Sequence, residues 1–335
     1  MMTRGASGPN RPRLLLTSAM AQHANSRLER LEEAGFELVE RYDVASSTPP
    51  DELARSLDGI WGTVAGSEPY TREVLQQATS LRVIARCGVG YDAIDVDAAT
   101  ENGVAVLITP EGNFESVADF ALALMLACVR RLVAADQAVR SGDWRPTELS
   151  GDLARATVGI VGLGRIGRAV AQRLRGFGCR ILGVETQPDQ TACAQLGIEL
   201  MTLEEVLPLA DVLTLHVPRT PETYHLIGTR ELGMMKRSAV LVNTARGGIV
   251  DEWALFDALS AGALAGAGLD VFEQEPIAGD HPLRQCSNVI LSGHVSAFTR
   301  LATEQTLDAV VAGLLDIAAD RTPAGWVNRP ATVQK

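Results

Sequence analysis

Short apolar runs alternate with segments of helical periodicity along nearly the whole chain. In the first part, the runs typical of strands are Leu14–Leu16, Glu37–Glu40, Gly59–Ala65, Leu81–Ala85 and Val104–Leu107. The segments between them carry apolar residues at helical spacing, at 26–34, 51–57, 71–78 and 96–101. Strands that alternate with helices are typical of a parallel sheet covered on both faces. The first part therefore predicts a doubly wound α/β domain.

The same alternation resumes in the second part. Its predicted strands are Val158–Val161, Ile181–Val184, Val212–His216, Ala239–Asn243, Gly266–Val271 and Val289–Ser292, and the helices between them include Val206–Leu209, Glu231–Met234 and Glu252–Ala261. Two longer helical segments, Ser116–Arg140 and Leu301–Asp320, would carry the chain between domains. We predict an α/β fold of two doubly wound parallel-sheet domains joined by hinge helices. Residues 12–112 and 299–335 form one domain, and residues 113–298 form the other.

A glycine fingerprint follows the first strand of the second domain. Gly162, Gly164 and Gly167 have the spacing G-x-G-x-x-G, between an apolar strand and a helical segment. Such glycines let the backbone approach a pyrophosphate at the helix N-terminus, where the N–H groups of Arg165 and Ile166 would face it. A glycine-rich turn of another α/β protein is the alternative. The order of strand, fingerprint, helix, strand and acid favours a Rossmann dinucleotide-binding domain.

The acid of that motif is Glu185, which ends the second strand about 20 residues beyond the glycines. A carboxylate there can bind both ribose hydroxyls and repels the additional phosphate of NADP. Thr186 and Gln187 supply no compensating cation. The predicted cofactor is NAD. The first domain has no fingerprint, so it is not the main nucleotide site. We expect it to be a flavodoxin-like domain that binds the substrate.

Composition limits the remaining possibilities. The chain has 335 residues, of which 46% are hydrophobic and 21% charged, and its formal net charge is −11. An acidic soluble protein of this kind shows no electrostatic footprint for nucleic acid or an anionic membrane. Its five cysteines are scattered without a C-x-x-C pair or metal-ligand spacing, which suits the cytoplasm and predicts no metal. The polar segment 1–13 is predicted to be a disordered lead-in.

Three groups of residues after the fingerprint resemble a known family. They are HVPRTPET from His216, NTARGGIVDE from Asn243, and GLDVF from Gly268 with Glu275, Pro276 and His294 after it. Each segment alone is common, but their order and spacing are specific as a set. The chain resembles the D-isomer-specific 2-hydroxyacid dehydrogenases, within them the branch similar to D-3-phosphoglycerate dehydrogenase, from about Gly59 to Asn328.

The resemblance implies a catalytic set of Arg246, Glu275 and His294. The chemistry agrees, because reduction of a 2-oxo acid needs a proton donor, and imidazole titrates near neutral pH. Glu275 would fix the tautomer of His294, and Arg246 would bind the substrate carboxylate with two hydrogen bonds. On sequence alone, Arg246 could instead belong to a solvated turn, and Glu275 could be an ordinary loop carboxylate.

The resemblance also assigns residues to the cofactor and the substrate. Besides the fingerprint and Glu185, the residues expected to line the cofactor are His216, Val217, Pro218, Thr244, Ala245, Asp270 and Ser296. On the substrate side, Arg86, Val89 and Gly90 follow an apolar strand, and they would join Arg246 and His294. In phosphoglycerate-type members, an arginine at the position of Arg86 reaches a substrate phosphate. A structural salt bridge is the equally weighted alternative for Arg86.

Together these features predict an enzyme that transfers a hydride between NAD and a small anionic D-2-hydroxy or 2-oxo acid, most simply one that bears a phosphate or phosphonate. Two alternatives stay open: a hydroxypyruvate or glyoxylate reductase, and a dinucleotide-sensing corepressor. By resemblance, we expect a homodimer. The three histidines outside the motif ends, His23, His225 and His281, are predicted to be surface residues.

Overall fold

The computed structural model describes residues 11–144 and 149–330. Most of the predicted N-terminal lead-in therefore lies outside the described residues. The chain divides into two compact units. One contains the residues up to Asn113 together with those from Phe298 onwards, and the other runs from Phe114 to Ala297. The predicted assignment of the first to substrate and the second to cofactor stays a prediction at this point.

The first unit is built on a five-stranded parallel sheet with the order β2-β1-β3-β4-β5. Its strands are β1 (Arg13–Leu16), β2 (Glu37–Glu40), β3 (Gly62–Ala65), β4 (Val83–Arg86) and β5 (Ala105–Leu107). The helices are α1 (Ala19–His23), α2 (Asn25–Glu33), α3 (Pro50–Ser56), α4 (Arg72–Gln77), α5 (Val96–Glu101) and α13 (Arg300–Ala318). This strand order is that of flavodoxin, so the predicted fold class is confirmed for this unit.

The C-terminal part of the chain belongs to this first unit. The long helix α13 packs on α2, where Arg27 pairs with Glu304 at 3.0 Å and also with Asp308. Further on, the buried side chain of Asn328 accepts the backbone N–H of Val106 and donates to the carbonyl of Val104. The prediction that the last helix returns to the first domain is correct.

The second unit contains a seven-stranded parallel sheet with the order β12-β11-β10-β9-β6-β7-β8. The strands are β6 (Thr157–Val161), β7 (Arg180–Val184), β8 (Ile198–Leu200), β9 (Val212–Leu215), β10 (Val240–Asn243), β11 (Gly266–Leu269) and β12 (Val289–Leu291). The helices are α6 (Phe114–Val129), α7 (Leu132–Ser141), α8 (Arg165–Leu174), α9 (Gln190–Leu196), α10 (Leu203–Val206), α11 (Thr229–Met234) and α12 (Glu252–Ser260). The order reverses at β6, which is the switch point of a Rossmann sheet.

Apolar side chains cover both faces of this second sheet. Helix α6 lies against β10, β11 and α8 on one face. Its close approach depends on Gly268 of β11, where a Cβ atom would meet Leu124 Cβ at 3.1 Å and Cys128 Sγ at 3.3 Å. The missing side chain of Gly268 therefore lets α6 pack closely on the sheet.

Two helix predictions differ from the structure. The segment 116–140 is two helices rather than one, because Arg131 has a left-handed backbone with φ of 51° and ends α6. Periodicity does not reveal a single residue of that kind. The helix predicted at Val206–Leu209 lies earlier, at Leu203–Val206, because Thr202 and Glu205 form a capping box that starts it there. Helix α1, helix α9 and strand β8 were not predicted. Among the described residues, no helix has the length and apolar character needed to cross a bilayer.

Candidate active site

The fingerprint glycines form the turn from β6 into α8. Gly162 has φ of +93°, and a Cβ atom there would lie 2.6 Å from the carbonyl oxygen of His216. A Cβ atom on Gly167 would lie 2.0 Å from the carbonyl oxygen of Gly162. Gly164, in contrast, has no atom within 4 Å of its Cβ position, and it precedes Arg165 and Ile166 at the start of α8. Two glycines therefore close the turn, and the third leaves open space in front of the helix N-terminus.

Glu185 lies at the end of β7 and holds the fingerprint turn. Its Oε2 accepts the backbone N–H of Leu163 at 2.9 Å, and its Oε1 accepts the N–H of Thr186 at 2.8 Å. Partial burial raises the pKa of Glu185, but these backbone hydrogen bonds outweigh burial and the pKa is lowered. The side chain is therefore a carboxylate at neutral pH, as an acceptor of ribose hydroxyls must be.

The segment after β9 lies against the same turn. The His216 carbonyl and Val217 Cγ1 are the atoms that a side chain on Gly162 would strike, and Pro218 follows them. The Nε2 atom of His216 is 3.0 Å from Thr214 Oγ1, and its Nδ1 is buried without a hydrogen-bond partner among the described residues. Burial lowers the pKa of His216 to about 3, so the ring is neutral.

Arg246 is carried by the loop after β10, and Asn243 fixes that loop. The buried Asn243 amide donates to the carbonyl of Arg246 at 2.8 Å and accepts the N–H of Ala245 at 3.0 Å. Gly247 follows, and a Cβ atom there would lie 1.8 Å from the carbonyl oxygen of Phe272. The Arg246 guanidinium donates to the carbonyl of Ala245 at 2.7 Å. The loop of Arg246 is thus pressed against the loop that follows β11.

That second loop carries Glu275, which binds His294. The Oε2 of Glu275 is 2.8 Å from His294 Nδ1, and its Oε1 accepts the N–H of Phe272 at 3.1 Å. Burial raises the pKa of Glu275. The hydrogen bond and charge of His294, together with the charge of Arg246, have the opposite and larger effect, so the pKa of Glu275 is below its usual value. The structure therefore brings Arg246, Glu275 and His294 together within the second unit.

A buried carboxylate supports the loop of His294. Asp270 is 0% exposed, and its Oδ1 accepts Ser292 Oγ at 2.7 Å and the N–H of Val295 at 3.0 Å. Its Oδ2 accepts the N–H of Ser296 at 2.9 Å. His294 itself has φ of 55°, a left-handed conformation that costs about 1 kcal/mol or more for a side chain of this size. Asp270 thus lies under the loop and Ser296 belongs to it, and their predicted contact with the cofactor stays a prediction.

The predicted substrate residues of the first unit lie after β4. Arg86 is the last residue of that strand, and its guanidinium donates to the carbonyl of Cys87. The carboxylate of Glu68, 1% exposed, lies close enough for the charge of Arg86 to lower the Glu68 pKa, although burial dominates and raises it. Val89 is exposed and Gly90 is half-buried. Arg86 is therefore associated with its own loop and with a buried carboxylate.

The residues present fit a dinucleotide. Gly164 faces open space at the N-terminus of α8. Thr244 Oγ1 is buried without a hydrogen-bond partner among the described residues, next to Ala245 and the arginine loop. Both features suit a ligand that lies along the carboxyl ends of the strands, where open α/β sheets bind nucleotides. Fold and site together define a dinucleotide-dependent oxidoreductase of two doubly wound domains.

Comparison with known proteins identifies the family. A model of the D-isomer specific 2-hydroxyacid dehydrogenase NAD binding domain matches residues 122–296. A glyoxylate reductase of Korarchaeum cryptofilum is 41% identical, over 95% of this chain and 96% of that protein. A D-3-phosphoglycerate dehydrogenase of Archaeoglobus fulgidus is 38% identical over 86% of this chain, which spans only 55% of that relative. The chain belongs to the D-isomer-specific 2-hydroxyacid dehydrogenase family, and its cofactor is NAD.

Solved structures agree with this assignment. The D-lactate dehydrogenase of Aquifex aeolicus, solved with NAD and lactic acid, is 28% identical, has a TM-score of 0.84, and covers 95% of this chain and 100% of its own. The predicted fold class, family and cofactor are confirmed.

The prediction that His281 is a surface residue is wrong. His281 is mostly buried, with 14% of its side chain exposed, and its Nε2 is 3.0 Å from the buried Glu252. His225 is partly exposed, and its Nε2 is 2.9 Å from Glu273 Oε1. Sequence patterns do not show these contacts because the partners are distant in the chain. His23 is exposed, as predicted.

His216 makes stability depend on pH. A base whose pKa is lowered by folding binds its proton more readily in the unfolded chain, so stability falls as the pH drops below about 6.5. Between pH 7 and pH 5 the free energy of unfolding should fall in the parent protein. In His216→Gln we expect this fall to be smaller by about 2 kcal/mol. Urea unfolding at the two pH values measures this, with the exposed His23→Gln as control. If the free energy of unfolding falls equally in the parent protein and in His216→Gln, the His216 ring is charged in the folded state at pH 5.

Proposed function

We propose that this protein is an NAD-dependent dehydrogenase that interconverts a small D-2-hydroxy acid and its 2-oxo form. The observation that carries the proposal is the 2.8 Å contact between Glu275 and His294, with Arg246 close enough for its charge to act on the same carboxylate. One guanidinium, one carboxylate and one imidazole are the groups that this reaction needs from a protein.

His294 acts as the acid when the 2-oxo acid is reduced and as the base in the reverse direction. Its Nδ1 is engaged by Glu275, so the other ring nitrogen, Nε2, exchanges the proton with the substrate oxygen. The lowered pKa of Glu275 keeps that residue anionic, so its Oε2 accepts a hydrogen bond from His294 Nδ1. Glu275 therefore fixes the tautomer and the orientation of the ring that transfers the proton.

Arg246 binds the substrate carboxylate. A planar guanidinium matches a carboxylate with two parallel hydrogen bonds, which a lysine ammonium cannot reproduce. The loop that holds it is fixed by Asn243 on one side and by the close packing of Gly247 on the other. A rigid loop reduces the entropy that would otherwise be lost when the substrate is oriented.

The second unit holds the dinucleotide. Bound NAD supplies the hydride acceptor and NADH the hydride donor. Gly162, Gly164 and Gly167, with the amides of Arg165 and Ile166, hold the pyrophosphate, and Glu185 accepts hydrogen bonds from the ribose hydroxyls. The remaining residues that line the cofactor site are His216, Val217, Pro218, Thr244, Ala245, Asp270 and Ser296. Among them, Asp270 acts through the loop that it supports, and the neutral His216 adds no charge to the site.

Substitution of the three residues should separate binding from proton transfer. We expect His294→Ala to lower kcat by about 10²- to 10⁴-fold, because it removes the general acid. Arg246→Lys should raise KM for the 2-oxo acid and lower kcat, since a single point charge replaces the planar pair of donors. Steady-state kinetics with NADH measure both, with the exposed Arg237→Lys as control. Near-normal turnover of His294→Ala would refute the acid assignment.

Two classes of substrate fit the site, and we place unphosphorylated acids of the glyoxylate and hydroxypyruvate class first. The glyoxylate reductase relative matches along nearly its whole length, whereas the phosphoglycerate dehydrogenase relative is matched along about half. Arg86 also donates to the Cys87 carbonyl and lies near the buried Glu68, which partly offsets its charge. The second candidate is the phosphate-bearing acid favoured by sequence, and the position of Arg86 at the carboxyl end of β4 supports it.

A panel of 2-oxo acids distinguishes these two classes. With NADH, we expect kcat/KM for glyoxylate or hydroxypyruvate to exceed that for 3-phosphohydroxypyruvate, and Arg86→Met to change this ratio by less than about threefold. A guanidinium that binds phosphate contributes on the order of 1.5–3 kcal/mol, which corresponds to tenfold or more. A preference for the phosphorylated acid that Arg86→Met abolishes would establish the second candidate. Arg55→Met, at an exposed arginine of the same unit, is the control.

We also propose that the protein is a homodimer. None of the residues of helix α7 is buried. Its apolar side chains Leu132, Val133 and Val139 are 61%, 42% and 55% exposed. An amphipathic helix whose apolar residues meet solvent indicates a surface that another chain covers. A second copy supplies the same apolar helix, and two such faces pack by symmetry.

The oligomeric state tests this surface. We expect sedimentation analysis to show a dimer for the parent protein and a monomer for the double variant Leu132→Glu with Val139→Glu, because each carboxylate would be buried without a partner. Ala134→Glu is the control, since helical spacing places it on the opposite side of α7. A dimer that survives the double variant would locate the interface elsewhere.

A further inference from the structure

A buried glutamate lies behind the acid–base pair. Glu252 is the first residue of α12 and only 6% exposed. Its Oε1 accepts the backbone N–H of Glu273 at 2.6 Å, and its Oε2 is 3.0 Å from His281 Nε2. His281 Nδ1 is buried without a partner among the described residues. One oxygen of Glu252 therefore accepts a hydrogen bond from the Glu273 amide, and the other lies at ion-pair distance from the His281 ring.

The same network reaches the arginine loop. The side chain of Glu273 is 2.9 Å from His225 Nε2, and the backbone N–H of His225 donates to the carbonyl of Gly248 at 2.7 Å. Gly248 lies two residues after Arg246. The chain of contacts from His281 through Glu252, Glu273 and His225 thus ends on the loop that presents the guanidinium.

Glu273 is well placed to transmit this restraint. It follows Phe272, whose N–H binds Glu275 Oε1 at 3.1 Å. The missing side chain of Gly247 lets the Phe272–Glu273 peptide approach, since a Cβ atom there would lie 1.8 Å from the Phe272 oxygen and 2.5 Å from the Glu273 nitrogen. A shift of the Glu273 amide therefore moves the support of Glu275 and the neighbour of Arg246 together.

The charge at this position is costly. Burial raises the pKa of Glu252 to about 6, and the charges of Glu273 and Glu275 act in the same direction. The amide of Glu273 and the charge of His225 lower this pKa in part. Two further titratable groups face the network: His281, which contacts Glu252, and Asp251, which contacts His225. A buried carboxylate maintained at this cost is typical of a group with a role beyond packing.

We propose that Glu252 is a positioning residue of the active site: it fixes the Glu273 amide and thereby holds Glu275 against His294, while His281 orients Glu252. This inference rests on the proposed function for its kinetic readout only. Neither Glu252 nor His281 touches the reacting atoms. Their effect reaches the chemistry through the 2.8 Å contact between Glu275 and His294.

Variants of Glu252 in the full chain test the proposal. In Glu252→Ala we expect kcat for glyoxylate reduction to fall by about 10- to 100-fold, as for a small misplacement of a reacting group, while KM for NADH stays within twofold. Glu252→Gln should restore most of the activity, since its amide oxygen also accepts the Glu273 N–H. Asp257→Ala, exposed on the same helix, is the control.

Crystal structures of the variants give a readout that does not depend on activity. In Glu252→Ala the distance from Glu275 Oε2 to His294 Nδ1 should exceed about 3.5 Å, beyond a hydrogen bond. If Glu252→Ala does not fold, Glu252→Asp carries the test, because it keeps the charge but withdraws it from the Glu273 amide. An unchanged distance together with an unchanged kcat would overturn the proposal. A parent protein that reduces no 2-oxo acid with NADH would refute the proposed function, while the distances would still decide this inference.

Discussion

The active site depends on one buried carboxylate, that of Asp270. A fully buried charge is costly unless it is saturated with hydrogen bonds, and Asp270 receives them from Ser292, Val295 and Ser296. All three donors lie on the loop of His294. The same bonds that compensate the charge therefore force that loop to fold back over the end of β11, and they maintain the left-handed backbone of His294. Burial of one anion thus fixes the direction of the imidazole.

The arrangement of the other two groups follows from backbone packing rather than from attraction between them. Arg246 and Glu275 lie on loops that follow neighbouring strands, β10 and β11, which pair in parallel register. Asn243 shapes the first loop, and the absent side chain of Gly247 lets the second approach it. The opposite charges then stabilise a proximity that the sheet has already created. In a protein of net charge −11, a cation fixed in this way is a local exception that an anionic substrate requires.

The sequence predicted the parts of the site that short-range patterns encode. The spacing of Gly162, Gly164, Gly167 and Glu185 reflects a turn whose constraints are local, so the structure shows the same turn. Hydrophobic periodicity did not predict the break between α6 and α7, because that break depends on the backbone conformation of a single residue, the left-handed Arg131. Nor did it predict the contacts of His281 and His225, because their partners Glu252 and Glu273 are distant in the chain and only the fold brings them near. The roles of Arg246, Glu275 and His294 came from the resemblance, and the geometry supplies a physical reason for them.

Gly247 has a consequence for the redesign of this enzyme. Every other amino acid would place an atom inside the Phe272–Glu273 peptide, so the two loops would have to separate before the new side chain fitted. Libraries that randomise the neighbours of Arg246 to change substrate range would therefore return inactive clones at this position, whatever the substrate.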